Sequence, residues 1–201
     1  MATSVASITV KDYLQAYRDA DRFIELCKEC QNYGTCWVCP PYDFNTTTLL
    51  TKYANAYIIG TIITPDAAVR SNSIDETKRM SHMLLADART LIDEKLLMLE
   101  SVYADSCSFF AGTCFACPNE SCTRILGKPC FKPDKIRYSL EAFGFDIGKT
   151  ASELLQVELK WSHDGMLPEY FTLVSGFFSN QEINAATIES AIGREHYRAL
   201  P

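Results

Sequence analysis

Two short cysteine-rich segments constrain this chain more than any other feature. The first, residues 27–41, reads Cys-x2-Cys-x5-Cys-x2-Cys-Pro-Pro, and the second, within residues 107–133, reads Cys-x2-Cys-x4-Cys-x7-Cys. Eight of the nine cysteines form these two motifs: Cys27, Cys30, Cys36, Cys39, Cys114, Cys117, Cys122 and Cys130. Thiolates packed this densely repel one another unless a positive centre lies among them. Zinc and iron–sulfur clusters are the centres that such sets usually bind.

The composition limits the size of the fold and the classes of partner. The chain has 201 residues, 47 % of them hydrophobic, which predicts a single domain over residues 1–201. Its 19 basic and 25 acidic residues give a formal charge of −6, so nucleic acid is not an expected partner. The longest apolar run, Ala56 to Ile63, is too short to span a bilayer.

The first ten residues and the cysteine content predict the compartment. Residues 1–10 lack the basic start and long apolar stretch of a secretory signal. We therefore expect a cytoplasmic protein, whose thiols stay reduced. In that compartment a Cys-x2-Cys pair indicates metal binding or redox catalysis rather than a structural disulfide.

Hydrophobic periodicity predicts the elements before the second cysteine segment. A helix is expected over residues 11–27, and the apolar run 57–63 predicts a strand buried on both faces. Residues 73–76, Ser-Ile-Asp-Glu, form a capping box that begins a long helix. The predicted buried stripe of that helix extends to Met98 and Val102.

The remaining elements lie around and after the second segment. Residues 106–111 predict a strand that leads into the second motif, and residues 134–143 predict a short helix after it. Alternating apolar residues over 155–161 predict a strand that pairs antiparallel with 170–178. The expected fold is α/β or α+β, a small mixed sheet flanked by helices, with the two cysteine loops at one edge.

The spacing of the second motif favours iron–sulfur ligation. Zinc knots more often contain two Cys-x2-Cys pairs joined by a longer loop, whereas here one pair is followed by two dispersed cysteines. Phe115, Ala116 and Phe131 can shield a cluster from water, and Gly112 and Gly127 let the backbone approach it. We expect a 4Fe–4S cluster at this motif, with zinc as the alternative.

The spacing of the first motif does not decide between zinc and iron. Two Cys-x2-Cys pairs five residues apart suit zinc nearly as well as iron. Cys107 is expected to be a small buried hydrophobic residue, although its distance from Cys114 also permits a role as a spare ligand. The three histidines are expected to be surface or capping residues: His82, His163 and His196.

Polar residues after the last cysteine have two interpretations. Arg137 and Glu141 are four residues apart, as in a helical ion pair. Alternatively, Arg137 or Ser139 supports the cofactor by donating a hydrogen bond to a cluster sulfur or a bound anion.

These residues resemble a known family, the bacterial and archaeal predicted metal-binding proteins grouped as domain of unknown function 2284. The first segment matches at Cys27, Cys30, Tyr33, Gly34, Trp37, Cys39, Pro40 and Pro41. The second matches at Cys114, Cys117, Cys122, Cys130, Pro133, Arg137, Ser139, Glu141, Ala142, Gly144 and Asp146. The resemblance covers roughly residues 20–178 and implies metal binding, with an iron–sulfur centre and no established reaction. Cys36 falls at a variable position of the family pattern, and the interval from Cys117 to Cys122 is longer than usual.

The sequence therefore leaves more than one possible set of metal ligands and more than one possible function. Without Cys36, the first segment offers three thiolates, which leaves one iron open to a substrate; a single site shared by both segments is equally compatible with the sequence. The first functional hypothesis is a cytoplasmic protein with one or two 4Fe–4S clusters that exchanges electrons with a redox partner protein. The second is a zinc or soft-metal protein, and the third is an enzyme with an open-site cluster. Hydrolase and kinase motifs are absent from the sequence.

Overall fold

The fold is taken from a computed structural model that describes residues 1–66, 73–117 and 122–193. Its strands and helices are β1 (Ala2–Thr9), α1 (Val10–Tyr17), α2 (Ala20–Lys28), α3 (Thr46–Leu50), β2 (Asn55–Ile63), α4 (Ile74–Val102), β3 (Ser106–Phe109), α5 (Ile147–Lys149), β4 (Phe171–Ser179) and α6 (Ala185–Gly193). Short 3-10 turns occupy Thr123–Leu126, Pro133–Lys135 and Glu141–Phe143, and one π-helical turn occupies Thr150–Leu154. His196 lies outside the described residues.

The four strands form one sheet in the order β1-β2-β4-β3, and each neighbouring pair is antiparallel. In the central pair, Tyr57 of β2 lies opposite Phe177 of β4, and Ile59 lies opposite Ser175. The predicted class, a small sheet flanked by helices, is confirmed. The predicted strand at 57–63 is also confirmed, as the greater part of β2.

Both faces of the sheet are covered, which explains why β2 is apolar at successive positions. Tyr57 and Ile59 pack on the face that carries α4 and α6. Ile58 packs on the opposite face, with α1 and an aromatic group that includes Phe143 and Phe145. The site described below lies where β3, an edge strand, leads into the second cysteine segment.

The predicted strand at 155–161 is wrong. Both neighbours of β4 are already present, because β2 pairs along one side and β3 along the other. Leu155 and Leu159 instead pack on the sheet face that carries α1, which we call the second hydrophobic face. Their alternation thus arises from packing on the sheet rather than from pairing within it.

The predicted helix over 11–27 is two helices, separated at Arg18 and Asp19. Arg18 has extended backbone angles, and its Nε donates to the Phe143 carbonyl at 2.7 Å. Asp19 donates its backbone N–H to the Gly144 carbonyl at 2.9 Å, and its side chain caps α2 through the N–H of Arg22. Gly144 has φ +85, and a Cβ there would lie 2.6 Å from the Ala20 Cα. Tertiary contacts therefore override the continuous helical pattern.

The long helix begins where the capping box predicts, with Ser73 Oγ accepting from the Glu76 N–H at 3.3 Å. Its buried stripe differs from the prediction: Ile92, Leu96 and Leu99 are buried, whereas Met98 and Val102 are exposed. Within the described residues, no helix combines the length and the apolar content required to cross a membrane.

The predicted helix at 134–143 is also wrong. Only its two ends form 3-10 turns, and residues 136–139 between them have no regular secondary structure, with extended backbone angles at Ile136. Phe110 donates its N–H to the Tyr138 carbonyl at 2.9 Å, so this stretch continues along the edge of the fold next to β3.

Candidate metal centre

The two cysteine segments are in direct contact, and Arg124 joins them. Its Nη1 donates to the carbonyls of Cys36 at 2.8 Å and Cys39 at 2.5 Å, and its Nη2 donates to the carbonyl of Pro41. The Trp37 indole donates in turn to the Lys128 carbonyl at 3.1 Å. Residues of both segments therefore form one local structure.

Five thiols line a single cavity of about 220 Å³ between the segments. We call them the inner group: Cys36, Cys114, Cys117, Cys122 and Cys130. The cavity is several times larger than the roughly 30 Å³ that one water molecule occupies in the liquid. Its size suits a centre of several atoms, and its soft sulfur donors suit zinc or iron–sulfur chemistry.

Cys36 is the point at which sulfur atoms of the two segments meet. Hydrogen bonds from the Cys114 and Cys39 thiols lower the pKa of Cys36 well below its usual range. The same bonds raise the pKa of Cys39 and of Cys114, because both thiols serve as donors to Cys36. One thiolate is thus stabilised by two thiols, one from each segment.

Backbone N–H groups also point at sulfur in the second segment. Ala116 donates to Cys114 Sγ at 3.4 Å, and Lys132 donates to Cys130 Sγ at 3.4 Å. Hydrogen bonds of this kind stabilise thiolates and tune the potential of a bound cluster.

The remaining three cysteines of the motifs, Cys27, Cys30 and Cys39, form what we call the outer group. Burial and then the neighbouring Cys30 raise the pKa of Cys27. Cys30 also adds to the raised pKa of Cys39, after the larger effects of Cys36 and of burial. Cys27 lines a separate cavity of about 380 Å³, and Cys30 is exposed. Cys39 connects the two groups through its bond to Cys36.

Tight turns shape both Cys-x2-Cys pairs of the first segment. The N–H of Cys30 bonds to the Cys27 carbonyl at 3.0 Å, and the N–H of Cys39 bonds to the Cys36 carbonyl at 3.1 Å. Gly34, with φ +70, donates to the Pro40 carbonyl at 2.8 Å and closes a loop that contains the second pair.

Arg89 of α4 positions the start of the second segment. Its side chain is only 3 % exposed, and its guanidinium lies 4.7 Å over the Phe115 ring. Nη1 donates to the Thr113 carbonyl at 2.5 Å, and Nη2 forms an ion pair with Asp93 at 2.9 Å. Sequence motifs do not single out this residue. Its signal was a charged side chain within the apolar stripe of α4, next to Ala88.

Arg137 contacts Glu100 rather than Glu141. Its Nε donates to Glu100 Oε1 at 2.8 Å, and the same oxygen accepts the N–H of Ser108 at 2.6 Å. The helical ion pair with Glu141 is therefore wrong, because no helix forms there. Ser139 is buried, and its Oγ accepts the Ala142 N–H at 3.3 Å. A role for Arg137 or Ser139 in supporting a cofactor stays a prediction.

Cys107 and the described histidines lie apart from the thiols that line the cavity. Cys107 is in β3 against the second hydrophobic face, where burial raises its pKa to about 11. The His82 ring meets the edge of Phe115 at 5.6 Å between centroids, and His163 is a surface residue. Among residues 1–66, 73–117 and 122–193, no three Cys, His, Asp or Glu side chains are arranged to hold one metal ion.

An antiparallel sheet with helices on both faces, and thiols gathered from two loops, defines a thiolate-rich protein of the metal-binding class. The chain belongs to the family described as "Predicted metal-binding protein (DUF2284)", whose profile matches residues 14–175 and so includes both motifs. The resemblance drawn from the cysteine motifs is thereby confirmed, and the family supports a general role in metal binding. No curated protein and no solved structure matches the chain.

Proposed function

We propose that the inner group binds a 4Fe–4S cluster and that the protein exchanges electrons with a partner protein. One observation carries this proposal: five thiols from both segments surround one cavity of about 220 Å³. A 4Fe–4S cluster takes four cysteine thiolates. The four cysteines of the second motif are the proposed ligands, and Cys36 is a fifth thiol in contact with Cys114.

The shape of the cavity favours a cluster over a single zinc ion. Structural zinc gathers four ligands about 2.3 Å from one point, which leaves no room between them. A cluster separates its thiolates, because each one ligates a different iron. The first motif alone suits zinc, but Cys36 bonds to Cys114 of the second segment, so only the outer group is left for a second centre.

The surroundings of the cavity suit electron transfer. Ile125 and Phe131 line it and are 58 % and 68 % exposed, so a bound cluster would lie close to the surface where a partner docks. When bound, the cluster supplies a one-electron redox couple. The chain holds it through thiolates, and the N–H groups of Ala116 and Lys132 stabilise the added negative charge. A cytoplasmic setting, which keeps these thiols reduced, belongs to the same proposal.

The test is a metal analysis of protein purified without oxygen, with iron, inorganic sulfide and zinc measured on each sample. We expect about four irons and about four sulfides per chain, with the charge-transfer absorption of a cluster and a reversible midpoint potential. About eight of each would indicate a second cluster at the outer group. Zinc without sulfide would overturn the proposal and leave a zinc-binding protein.

Two variants connect the metal content to the cavity. Cys117→Ser removes a proposed ligand and is expected to abolish the sulfide content. Cys107→Ala removes a cysteine that packs in β3 and is expected to leave iron and sulfide unchanged. Equal metal content in the two variants would refute the assignment of the ligands.

A further inference from the structure

A second cavity lies beside the metal centre. It has a volume of about 530 Å³, within the range typical of small-molecule sites. Its walls come from α4, from the start of β4, from residues 159–162 and from the beginning of the second cysteine segment. Most of the lining is apolar and includes Leu85, Phe115, Leu159, Phe171 and Leu173.

Unpartnered polar atoms concentrate around this cavity. Among the described residues, six buried side-chain nitrogen or oxygen atoms have no hydrogen-bond partner. Three of them belong to residues that line the cavity: Arg89 Nε, Glu141 Oε2 and Thr172 Oγ1. Buried polar groups in proteins are nearly always hydrogen-bonded, so three exceptions beside one cavity indicate side chains that turn toward a bound ligand and bond to it.

The rim adds positive charge and an exposed aromatic ring. Lys78 and Lys160 line the cavity, as does Trp161, which is 75 % exposed. The Lys160 ammonium also lies 3.7 Å from a Glu169 carboxylate oxygen and 5.3 Å from the centre of the Tyr170 ring. A hydrogen bond of 3.0 Å between the Ser81 and Ser162 hydroxyls holds this rim to α4. Glu169 is 68 % exposed, so its ion pair with Lys160 is weak, and both ammonium groups favour a ligand with an anionic group.

We infer that this cavity binds a small organic anion with an aromatic or aliphatic body. Its body packs on the apolar walls, a hydrogen-bond donor reaches Glu141 and Thr172, and its anionic group faces Lys78 and Lys160. Thr113 lines both this cavity and the cysteine cavity, so the ligand lies next to the metal centre. The inference goes beyond the proposed function and does not depend on which metal is bound.

The probe for the test is 1-anilinonaphthalene-8-sulfonate, which combines an aromatic body, an N–H donor and an anion. It is titrated into the protein purified with its metal. We expect saturable binding of one probe per chain, with energy transfer from Trp161. Trp161→Phe should reduce that transfer, and the remainder comes from Trp37, which lines the adjoining cysteine cavity. Unsaturable binding, with no transfer from Trp161, would mean that the probe adheres to exposed apolar side chains only, and would overturn the inference.

A matched pair of variants separates ligand binding from stability. Thr172→Val and Thr61→Val each remove a buried, unpartnered hydroxyl from a strand, but only Thr172 lines the cavity. Both should raise the unfolding temperature, because valine replaces an unsatisfied hydroxyl. Only Thr172→Val should weaken probe binding, by about fivefold, the typical effect of one neutral hydrogen bond.

Equal probe affinity in the two variants and the parent chain would overturn the inference. Iron, sulfide and zinc are measured on the same samples. Saturable probe binding to a protein that contains only zinc would reject the proposed cluster and support the ligand site. A full cluster without specific probe binding would support the cluster and reject the ligand site.

Discussion

The two cysteine segments are held in place by different means. The first is shaped by its own backbone, through the two Cys-x2-Cys turns and the bond from Gly34 to Pro40, and among the described residues its only cationic anchor from outside is Arg124 of the second segment. The second depends on cationic side chains: Arg89 bonds to the Thr113 carbonyl, and Lys132 bonds to the Ala116 carbonyl at 2.7 Å. The conformation of the candidate metal site therefore depends on residues that are not ligands.

The cysteines of the first segment are divided between two groups in space, whereas the motif cysteines of the second segment stay in one group. Cys36 bonds to Cys114 of the other segment as well as to Cys39 of its own, whereas Cys27 and Cys30 lie together within the first. The spacing in the sequence thus differs from the grouping in space. The following experiments disturb one segment and compare it with the other, beginning with the largest expected effect.

The largest effect is expected from removing Cys36 and Cys114 together. Because the two sulfurs are in contact, either can serve as the ligand when the other is replaced. Cys114→Ser alone should therefore retain about half or more of the iron, and the double variant Cys36→Ser/Cys114→Ser should lose nearly all of it. The control is Cys30→Ser/Cys36→Ser, which spares the second motif and should keep the cluster. Equal loss from the single and double variants would contradict the sharing of thiols.

Arg89→Met is expected to lower the free energy of unfolding by about 3 kcal/mol, since it leaves the charge of Asp93 buried and unpaired. Chemical denaturation with urea measures the change. A double variant, Arg89→Met/Asp93→Asn, removes that charge and should recover part of the loss. No recovery would mean that the bond to Thr113, rather than the ion pair, carries the effect.

Arg124→Met removes the guanidinium that bonds to three carbonyls of the first segment. We expect a loss of about 2 kcal/mol in the free energy of unfolding and a faster release of iron to a chelator. Arg79→Met is the matched control, because Arg79 is exposed and its bonds to Glu76 and Met83 stay within α4. Equal effects of the two variants would show that Arg124 does not join the segments.

Two buried carboxyls near the second segment should respond to pH in opposite directions. Burial raises the pKa of Asp93 to about 6, above its unfolded value near 3.9. Its contribution to stability is therefore complete below about pH 4 and is lost as the pH rises through 6. Burial also acts on Glu100, but hydrogen bonds from Arg137 and Ser108 outweigh it and lower the pKa. The Glu100 contribution is present above its unfolded pKa and is lost as the pH falls.

Comparing the free energy of unfolding of the parent chain with that of each amide variant, over a range of pH, measures how each carboxyl changes stability with pH. The stability of the parent relative to Asp93→Asn should fall by roughly 2 kcal/mol between pH 4 and pH 7. The stability of the parent relative to Glu100→Gln should instead rise over the acidic part of that range. Parallel slopes for the two pairs would contradict the opposite pKa shifts.

Local signals in the sequence predicted much of the central fold. The apolar run of β2 and the capping box of α4 both depend on neighbouring residues, and both are confirmed. Strand β1 was missed because Ala2–Thr9 is mostly small and polar and becomes a strand only by pairing with β2. The break at Arg18 was missed because its cause is a contact with Phe143, which is far away in the sequence.

The candidate site shows the same division. The cysteine motifs identified the family and the segments that meet, because dense thiols are a local signal. The grouping of Cys36 with Cys114 needs contacts between distant residues, and the sequence left it as one of several alternatives. Arg89 and Arg124 were not recognised because a single arginine carries no motif, and its role appears only with the carbonyls that it contacts.

The distance in the chain between Cys36 and Arg124 has a consequence for biosynthesis. The bond between them spans 88 residues, so the first segment leaves the ribosome well before its partner exists. At about 5–20 residues per second, this interval lasts roughly 4–18 seconds. During that time the nascent chain presents Cys27, Cys30, Cys36 and Cys39 as an independent four-thiol chelator. Zinc bound to these four thiols would oppose the later movement of Cys36 to its position beside Cys114. The zinc supply of the expressing cell should therefore change which metal the finished protein contains.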